Sequence, residues 1–286
     1  MESIFLTGAN GQVGHELRST LAPLGPVLAT TRDTLDLSNE AAIRAAVRAA
    51  APRLIVNAAA YTAVDAAETD ETACAWLNTD VPRILAEEAD RCGAWLVHYS
   101  TDYVFDGTAT RPYREDDPVN PLGVYGRTKA AGEEAVRRAC GRHLILRVAW
   151  VYGARGKNFL KTIQRLAATG NPLRIVDDQI GVPTWSRAIA EATAQTAARV
   201  LTQENVGHLA GTFHLAAEGA CSWYEFAVEI LSAQGNAIPE IHAITTADYP
   251  TPATRPAYSV LDPSKIGAAF GIKLPPWRTQ LRSCLA

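Results

Sequence analysis

The 286-residue chain lacks two features that mark large classes of protein. It contains no apolar run long enough to cross a bilayer, and its formal net charge of −3 is far from the basic excess of a nucleic-acid-binding protein. Its first residues, MESIFLTGAN, show no basic segment followed by a long apolar one, so no signal peptide is predicted. We therefore expect a cytoplasmic protein with neither a membrane nor a nucleic acid as partner.

Cysteine is also scarce. The five cysteines are widely spaced: Cys74, Cys92, Cys140, Cys221 and Cys284. An odd, scattered set does not predict a disulfide framework, and no closely spaced cysteine and histidine residues predict a zinc site. We expect reduced thiols and no bound metal.

The first half of the chain alternates short apolar segments with longer amphipathic ones. Strands are predicted at residues 3–7, 27–30, 54–57, 94–100 and 143–151. Helices are predicted at residues 11–24, 40–50, 71–92 and 125–138. This spacing indicates βαβ units, and strands that are apolar throughout, such as LIVN, are typical of a sheet covered on both faces. The predicted fold is α/β, with a Rossmann-like, doubly wound parallel sheet.

The second half is richer in turns, with helices predicted only at residues 187–201 and 223–233. We interpret it as a smaller, mainly C-terminal substrate-binding lobe. Residues 1–151 would form the NAD(P)-binding Rossmann-like domain, with some later segments interleaved, and residues 152–286 would form most of the substrate lobe.

A glycine-rich turn follows the first predicted strand. Its sequence, TGANGQVG, places Gly8, Gly11 and Gly14 three residues apart. Gly8 allows a tight turn, Gly11 lets backbone amides approach a pyrophosphate, and Gly14 lets the helix pack closely on the sheet. At a strand-to-helix junction this pattern predicts dinucleotide binding, because a helix N-terminus favours anions.

The segments after strands two and three indicate which cofactor binds. Strand two ends in Ala-Thr-Thr-Arg, without the carboxylate that binds the adenosine ribose of NAD, and Arg32 suits a 2′-phosphate. NADPH is therefore the favoured cofactor, and NADH remains an alternative. Asp36 and Leu37 are expected to border the adenine. The small residues after strand three either leave space for the cofactor or reflect tight packing: Ala58, Ala59 and Ala60.

The candidate catalytic residues are Tyr125 and Lys129, which form a Y-x-x-x-K pattern. Residues i and i+4 share a helix face, so both side chains can point into one site. A lysine ammonium lowers the pKa of a neighbouring phenol, which suits a proton donor to a carbonyl oxygen. A hydroxyl at the end of strand four, from Ser100 or Thr101, could bond the same oxygen.

The chain resembles the extended short-chain dehydrogenases/reductases in these motifs. It is similar in particular to the dTDP-4-dehydrorhamnose reductase family through GANGQVG, NAAAYTAVD, HYSTDYVFDG, VYGRTK, AWVYG, DDQIGVPT and YPTPATRP, which occur in the family's order. The resemblance extends nearly from end to end. It implies hydride transfer from NAD(P)H to C4 of a dTDP-linked 4-keto-6-deoxy sugar.

The resemblance also implies residue roles. Tyr125 would protonate the sugar oxygen, Lys129 would tune Tyr125 and hold the nicotinamide ribose, and Thr101 would tune the tyrosine. Further cofactor contacts would come from Gly11, Gln12, Val13, Ala60, Tyr61 and Thr62. Substrate contacts would come from Thr101, Asp102, Trp150, Gln179, Val182, Pro183 and Arg255, with the Arg255 guanidinium suited to the nucleotide phosphates.

The chain departs from the family's pattern at two places. Thr31 stands where many members have an aspartate, which weakens an NAD preference. Some members dimerise through Mg²⁺ held by glutamates near an extended C-terminus, whereas this chain ends in Arg-Ser-Cys-Leu-Ala. No metal is predicted, and both a monomer and a homodimer stay open.

Several residues also have simpler structural interpretations. Trp150 could be a core tryptophan, and His98 is expected to be a packed strand histidine rather than a base. Asp65 and Glu68 are interpreted as helix-start carboxylates that complement the helix dipole. The acidic loop at residues 114–117 is expected to be solvated, although it could cover the site.

Two other functions compete with the reductase. A nucleotide-sugar 4,6-dehydratase of the same fold would carry a glutamate after Asp102, where this chain has Tyr103, while a 4-epimerase stays open. A non-catalytic NADP-binding regulatory subunit would not need Thr101, Tyr125 and Lys129 together.

Overall fold

The computed structural model describes residues 3–203, 206–233 and 239–286. In the first half, strands and helices alternate in the order β1 (Ile4–Thr7), α1 (Gln12–Thr20), β2 (Val27–Ala29), α2 (Glu40–Ala50), β3 (Leu54–Asn57), α3 (Val64–Ala67), α4 (Glu71–Ala75), α5 (Val81–Cys92), β4 (Trp95–Thr101), α6 (Val124–Ala139) and β5 (His143–Val148).

The second half contains shorter strands. Its elements are β6 (Val151–Tyr152), α7 (Phe159–Ala167), β7 (Leu173–Val176), β8 (Ile180–Gly181), β9 (Thr184–Trp185), α8 (Ser186–Thr202), β10 (Gly211–His214), β11 (Cys221–Ser222), α9 (Trp223–Ser232), β12 (Ile241–Ile244), α10 (Ser264–Phe270) and α11 (Trp277–Leu285).

The main sheet has six parallel strands in the order β10-β5-β4-β3-β1-β2. The four central strands β1, β3, β4 and β5 are buried along their whole length because helices cover both faces. The strand order reverses at β1, with β2 on one side of β1 and β3, β4 and β5 on the other. In sheets of this kind, ligands bind in the crevice at the carboxyl ends of the strands where the order reverses. The predicted fold class is confirmed.

Three large hydrophobic clusters form most of the core of the described residues. One face of the sheet packs against α1 and α8, and the opposite face packs against α2 and α5. A third cluster, which includes Phe226 and Trp277, lies under the smaller elements of the second half. The second half therefore contributes α8, β10 and α10 to the sheet layers, while most of its other segments form a core of their own.

Three predicted elements end or break earlier than their patterns indicate. The helix predicted at residues 11–24 ends at Thr20, and a 3₁₀ turn that contains Pro23 follows, because proline removes a helical hydrogen bond. The helix predicted at residues 71–92 contains a π-helical turn, Trp76–Asp80, just before Pro82, which has no N–H to donate. The strand predicted at residues 143–151 ends at Val148, since Trp150 adopts a left-handed φ of 43°.

No helix in the described ranges is both long enough and apolar enough to span a bilayer.

Candidate active site

The glycine turn after β1 is held close to the end of β3. Gly8 has a left-handed φ of 68°, and a Cβ there would lie 2.6 Å from the backbone of Ala58 and Ala59. A Cβ at Gly14 would lie 2.1 Å from the Gly8 carbonyl oxygen. Only glycine fits at these two positions. Gly8 needs a left-handed backbone conformation, and Gly14 lets α1 approach the turn closely.

The N-terminus of α1 suits an anion. Its first residue follows Gly11, which supplies no side-chain cap, and its first turn carries no acidic residue. The amides that open a helix have no intrahelical partner and are attracted to negative charge. The residues present therefore fit a pyrophosphate, which Gly11, Gln12 and Val13 would hold through their backbone.

Gln12 links this turn to the second half of the chain. Its Oε1 accepts a hydrogen bond of 2.8 Å from Nδ2 of Asn158, whose Oδ1 caps α7 by accepting from the Lys161 amide. Nδ2 of Asn158 also donates to the Gly153 carbonyl. Asn158 was not predicted, because its role depends on a contact 146 residues away along the chain.

The other predicted cofactor residues follow β2 and β3 and differ in exposure. Arg32 is exposed after β2, and the exposed Asp36 accepts two hydrogen bonds from Ser38. Leu37 is partly buried, and its carbonyl accepts from the Trp76 indole. The segment after β3 is partly open to solvent and contains Ala59, Ala60, Tyr61 and Thr62.

Asn78, a residue that sequence reasoning missed, holds the segment after β3 in place. Its side chain is buried in the π-helical turn, accepts from the Tyr61 amide at 2.9 Å and donates to the Tyr61 carbonyl. It also donates to the Thr128 hydroxyl on α6. One side chain thus connects a predicted cofactor contact to α6, which carries the predicted catalytic residues, and π-helical turns are frequent at functional sites.

Lys129 lies on the buried face of α6, as the i, i+4 spacing predicts. Its Nζ donates to the Tyr99 carbonyl near the end of β4, and its side chain is 2% exposed. Burial lowers the pKa of Lys129 to about 8, although the carboxylate of Glu133 acts in the opposite direction. An ammonium therefore sits beside the carboxyl end of β4, where the crevice opens.

The structure differs from the prediction that Lys129 lowers the pKa of Tyr125. Burial raises the pKa of Tyr125 well above its usual value, and the charge of Asp102 acts in the same direction. The Thr101 hydroxyl is the group that favours the phenolate. Tyr125 is therefore held in its protonated form, which is the form a proton donor requires.

Residues 100 and 101 point to opposite sides of β4, so only one of the two candidate hydroxyls reaches Tyr125. The Thr101 hydroxyl is beside Tyr125 and donates a 3.0 Å hydrogen bond to Oδ1 of Asp102. The Ser100 hydroxyl instead favours the charged form of Glu133. Strand alternation thus assigns Thr101, and not Ser100, to the site.

A buried ion pair joins α6 to β5. Glu133 accepts two hydrogen bonds from the Arg147 guanidinium, of 2.8 and 2.7 Å, and both residues are at most 2% exposed. Burial alone would raise the pKa of Glu133, but Arg147 lowers it. The His214 ring lies 3.4 Å from Arg147 and also contacts the Tyr113 carbonyl. This cluster fixes α6 against β5 and β10.

The acidic loop packs onto this cluster. Within it, Glu115 is partly buried and accepts a 2.7 Å hydrogen bond from the His214 amide, while Asp116 is exposed. The loop is therefore solvated only in part. His98, by contrast, fits its predicted role as a packed strand residue: it is fully buried beside Asn57, and burial lowers its pKa.

Just after the carboxyl end of β5, Trp150 stacks face to face on Trp223. Their ring centroids are 3.4 Å apart and the rings are 3° from parallel. Gly181 packs against the Trp150 ring so closely that a Cβ there would lie 2.3 Å from it. Trp223 was not predicted, and the left-handed backbone of Trp150 is held between these two neighbours.

The remaining predicted substrate residues take different positions. The buried Gln179 accepts from the Trp223 indole at 3.2 Å and donates to Thr246. The Val182 side chain is fully buried in the core of the second half, and Pro183 is also buried. The Val182 side chain therefore packs in the core and is not available for the predicted substrate contact.

Arg255 forms a bidentate ion pair with Asp65, with contacts of 2.6 and 2.8 Å. This pair links the start of α3 to the last turn-rich segment. Glu68 accepts a 2.8 Å hydrogen bond from the Val124 amide at the start of α6. The two carboxylates were interpreted as complements to the dipole of their own helix, but their contacts are with Arg255 and with the start of α6.

The fold and the site together define a class of protein. The six-stranded parallel sheet, the glycine turn after its first strand and the Y-x-x-x-K pair on α6 are those of an extended short-chain dehydrogenase/reductase.

Comparisons with known proteins narrow this class. The family described as RmlD substrate binding domain matches residues 1–286. The dTDP-4-dehydrorhamnose reductase of Burkholderia thailandensis is 45% identical over 290 residues, which cover 99% of this chain and 97% of that protein. The dTDP-4-dehydrorhamnose reductase structure from Clostridium acetobutylicum has a TM-score of 0.91 at 38% identity, with 99% and 98% of the two chains covered. The Bacillus anthracis dTDP-4-dehydrorhamnose reductase, solved in complex with NADP, has a TM-score of 0.92 at 32% identity and the same coverage.

The chain therefore belongs to the dTDP-4-dehydrorhamnose reductase family. The family indicated by the sequence motifs is confirmed.

Proposed function

We propose that the chain reduces the C4 ketone of dTDP-4-dehydro-6-deoxy-L-mannose (dTDP-4-dehydro-β-L-rhamnose) to give dTDP-L-rhamnose. The observation that carries this proposal is the placement of the partly buried Tyr125 and the buried Lys129 one turn apart on α6, beside Thr101 at the carboxyl end of β4. Membership of the reductase family supports the choice of substrate.

The cofactor would be NADPH, with NADH as a weaker alternative. The glycine turn and the uncapped start of α1 fit a pyrophosphate. After β2, position 31 is a threonine where many family members have an aspartate, and the exposed Arg32 follows it. A relative solved with NADP supports the same choice. When bound, the nicotinamide supplies the hydride that reduces C4.

The residues of the chain would supply the proton and its control. Tyr125, kept protonated by burial, would donate its phenolic proton to the C4 oxygen. Lys129 would stabilise the resulting phenolate by its positive charge and hold the ribose, and Thr101 would donate a hydrogen bond to the phenolate. The segment Ala59, Ala60, Tyr61 and Thr62 would border the cofactor, as would Asp36 and Leu37.

The division of labour between the two parts of the chain is also a proposal. Residues 1–151 would hold the cofactor, and residues 152–286 would form most of the substrate lobe. Gln179 and Pro183 would approach the sugar or nucleotide from that lobe, with Asp102 and Trp150 at the crevice. Arg255 would exchange its pairing with Asp65 for the diphosphate, since a guanidinium suits both anions. The protein would act as a monomer or a homodimer.

The test follows nicotinamide absorbance with purified protein and dTDP-4-keto-6-deoxyglucose, with and without a 3,5-epimerase. We expect oxidation of NADPH only when the epimerase is present, and a loss of about a hundredfold or more in kcat for Tyr125→Phe. Tyr103→Phe is the matched control, because its ring lies edge-on to Tyr125 at 5.8 Å but is not the proposed donor.

Three outcomes would change the proposed reaction. Oxidation without the epimerase would change the substrate assignment. Interconversion of sugars without net oxidation would indicate a 4-epimerase. Binding of NADPH without turnover would indicate a regulatory subunit. Separately, a faster reaction with NADH that Arg32→Ala leaves unchanged would contradict the cofactor assignment.

A further inference from the structure

We propose that Asp102 is a positioning residue whose protonation state decides whether the Thr101 hydroxyl donates its hydrogen to Asp102 or to Tyr125. This inference rests on the proposed function, in which Tyr125 becomes a phenolate after it gives up its proton. It goes further by giving Asp102 a role in the proton step, in addition to its predicted contact with the sugar.

The first observation is a count of hydrogens at Thr101. Its hydroxyl has one hydrogen, which it donates to Oδ1 of Asp102 at 3.0 Å, while its oxygen accepts from the Tyr103 amide at 3.2 Å. The same hydroxyl lies beside Tyr125. While the hydrogen points to Asp102, Thr101 offers Tyr125 only an acceptor, which suits a phenol and not a phenolate.

The second observation is the burial of the Asp102 carboxyl. Asp102 is 2% exposed, and its Oδ2 is buried with no partner that meets hydrogen-bond geometry in the described part of the chain. An ionised carboxylate in such a place is disfavoured unless its lone pairs are satisfied. Burial raises the pKa of Asp102 to about 6, although Ser259 and Thr101 favour the charged form.

Two tyrosines and two cations surround Asp102. Tyr103 follows Asp102 in the chain and faces Arg255. Tyr125 faces Asp102 from α6, and Lys129 lies one turn further along that helix. The Asp102 carboxylate raises the pKa of both tyrosines. An ionised Asp102 therefore opposes the phenolate in two ways, by its charge and by competition for the Thr101 hydrogen.

The consequence is a defined pH dependence. Below the pKa of Asp102 the neutral carboxyl competes weakly, and Thr101 can donate to the phenolate as the proton leaves Tyr125. Above that pKa the carboxylate keeps the hydrogen. The kcat of the parent protein should therefore fall as the pH rises through about 6.

The test compares the pH profile of kcat for the parent, Asp102→Asn, Thr101→Val and the double variant at saturating substrate. The asparagine side chain has the shape of aspartate and is never charged. In Asp102→Asn the fall near pH 6 should therefore disappear, and at higher pH this variant should exceed the parent by about tenfold in kcat. Because most of the effect passes through the Thr101 hydroxyl and the rest through the charge of Asp102, Thr101→Val should show a clearly smaller fall than the parent, and adding Asp102→Asn to it should remove only that remainder.

A cofactor-free measurement makes the contact itself testable. The infrared band of the protonated Asp102 carboxyl, identified by its loss in Asp102→Asn, should titrate at higher pH in Thr101→Val, which lacks the donor that favours the carboxylate.

Two results would overturn the inference: a fall near pH 6 that persists in Asp102→Asn, or one that keeps its full size in Thr101→Val and so reflects charge alone. An unshifted infrared titration would do the same. A parent protein that turns over no ketosugar would contradict the proposed function instead, and the infrared titration would still report on Thr101 and Asp102.

Discussion

The two sides of the proposed ligand crevice, the proposed cofactor side and the proposed substrate side, are constructed in different ways. On the cofactor side, one short segment from Gly8 to Gly14 provides the turn, the close packing and the helix N-terminus. On the substrate side, each feature joins segments that are far apart in the chain, such as the stack of Trp150 on Trp223 and the ion pair between Asp65 and Arg255, which are 190 residues apart.

The difference follows from the groups that each ligand requires, which are backbone amides for a pyrophosphate and side chains for a sugar nucleotide. A pyrophosphate site needs backbone amides in a particular conformation, and glycine at defined spacings supplies it locally. A sugar-nucleotide site needs side chains that converge from several directions. We therefore expect substitutions in the sheet and the glycine turn to change the free energy of unfolding, and substitutions on the substrate side to change KM while the fold persists.

The largest expected effect is a loss of stability when the buried ion pair between Glu133 and Arg147 is broken. Arg147→Met leaves the Glu133 carboxylate fully buried, with Arg137 at 3.2 Å as its remaining cationic partner. We expect a loss of about 3–5 kcal/mol in the free energy of unfolding, measured by urea denaturation. The double variant Glu133→Gln, Arg147→Met should recover much of this loss. A single variant within about 1 kcal/mol of the parent would contradict the account.

The next effect concerns the glycine turn. In Gly14→Ala the new Cβ would lie 2.1 Å from the Gly8 carbonyl, so turn and helix must separate. We expect a loss of about 1–3 kcal/mol in stability, together with weaker NADPH binding in a fluorescence titration. Gly141→Ala is the matched control, because its Cβ meets nothing within 4 Å. Equal losses of stability and of NADPH binding in the two variants would contradict the special role of the turn.

A smaller effect is expected on the substrate side. Trp223→Ala removes the ring that stacks on Trp150 and the indole that donates to Gln179. We expect KM for the ketosugar to rise about tenfold, with KM for NADPH unchanged. Trp223→Phe keeps a stacking ring and should lie closer to the parent. A rise in KM for NADPH equal to that for the sugar would break the proposed separation between the two sides.

The smallest effect has the opposite sign. Burial lowers the pKa of Lys129 from 10.5 to about 8, so the charged form destabilises the folded state at neutral pH. Lys129→Met should be inactive. Its free energy of unfolding should nevertheless exceed that of the parent by about 1 kcal/mol, because removal of the buried charge stabilises the fold by more than the lost hydrogen bond to the Tyr99 carbonyl destabilises it. The parent gains stability as the pH rises from about 8 to 10.5, because only its unfolded form still binds the proton. The advantage of the variant should therefore shrink over that range in thermal unfolding, and a constant difference would contradict the pKa shift.

The comparison also explains how much the sequence could predict. Alternating apolar strands and amphipathic helices indicated the parallel sheet, and the glycine spacing indicated the turn that follows β1. The Y-x-x-x-K pattern placed Tyr125 and Lys129 on the same helix, because i, i+4 geometry is local. These features depend on neighbouring residues, so their patterns are visible in one dimension.

The residues that were missed act through distant partners. Asn78 holds Tyr61 from a π-helical turn, Asn158 reaches the glycine turn from α7, and Trp223 stacks on Trp150. No local pattern marks any of them. The pKa of Tyr125 was predicted in the wrong direction for a similar reason, since burial depends on the complete fold and outweighs the effect expected from Lys129.

The most direct test of the central claim is where hydride from the cofactor arrives. The ketosugar formed in the presence of the 3,5-epimerase would be reduced with NADPH that carries deuterium at the transferable position, and the product would be analysed by proton NMR. We expect one deuterium at C4 of dTDP-L-rhamnose from the parent and from Tyr103→Phe, and almost no product from Tyr125→Phe. Deuterium at another carbon, or a product without deuterium, would contradict the proposed reduction.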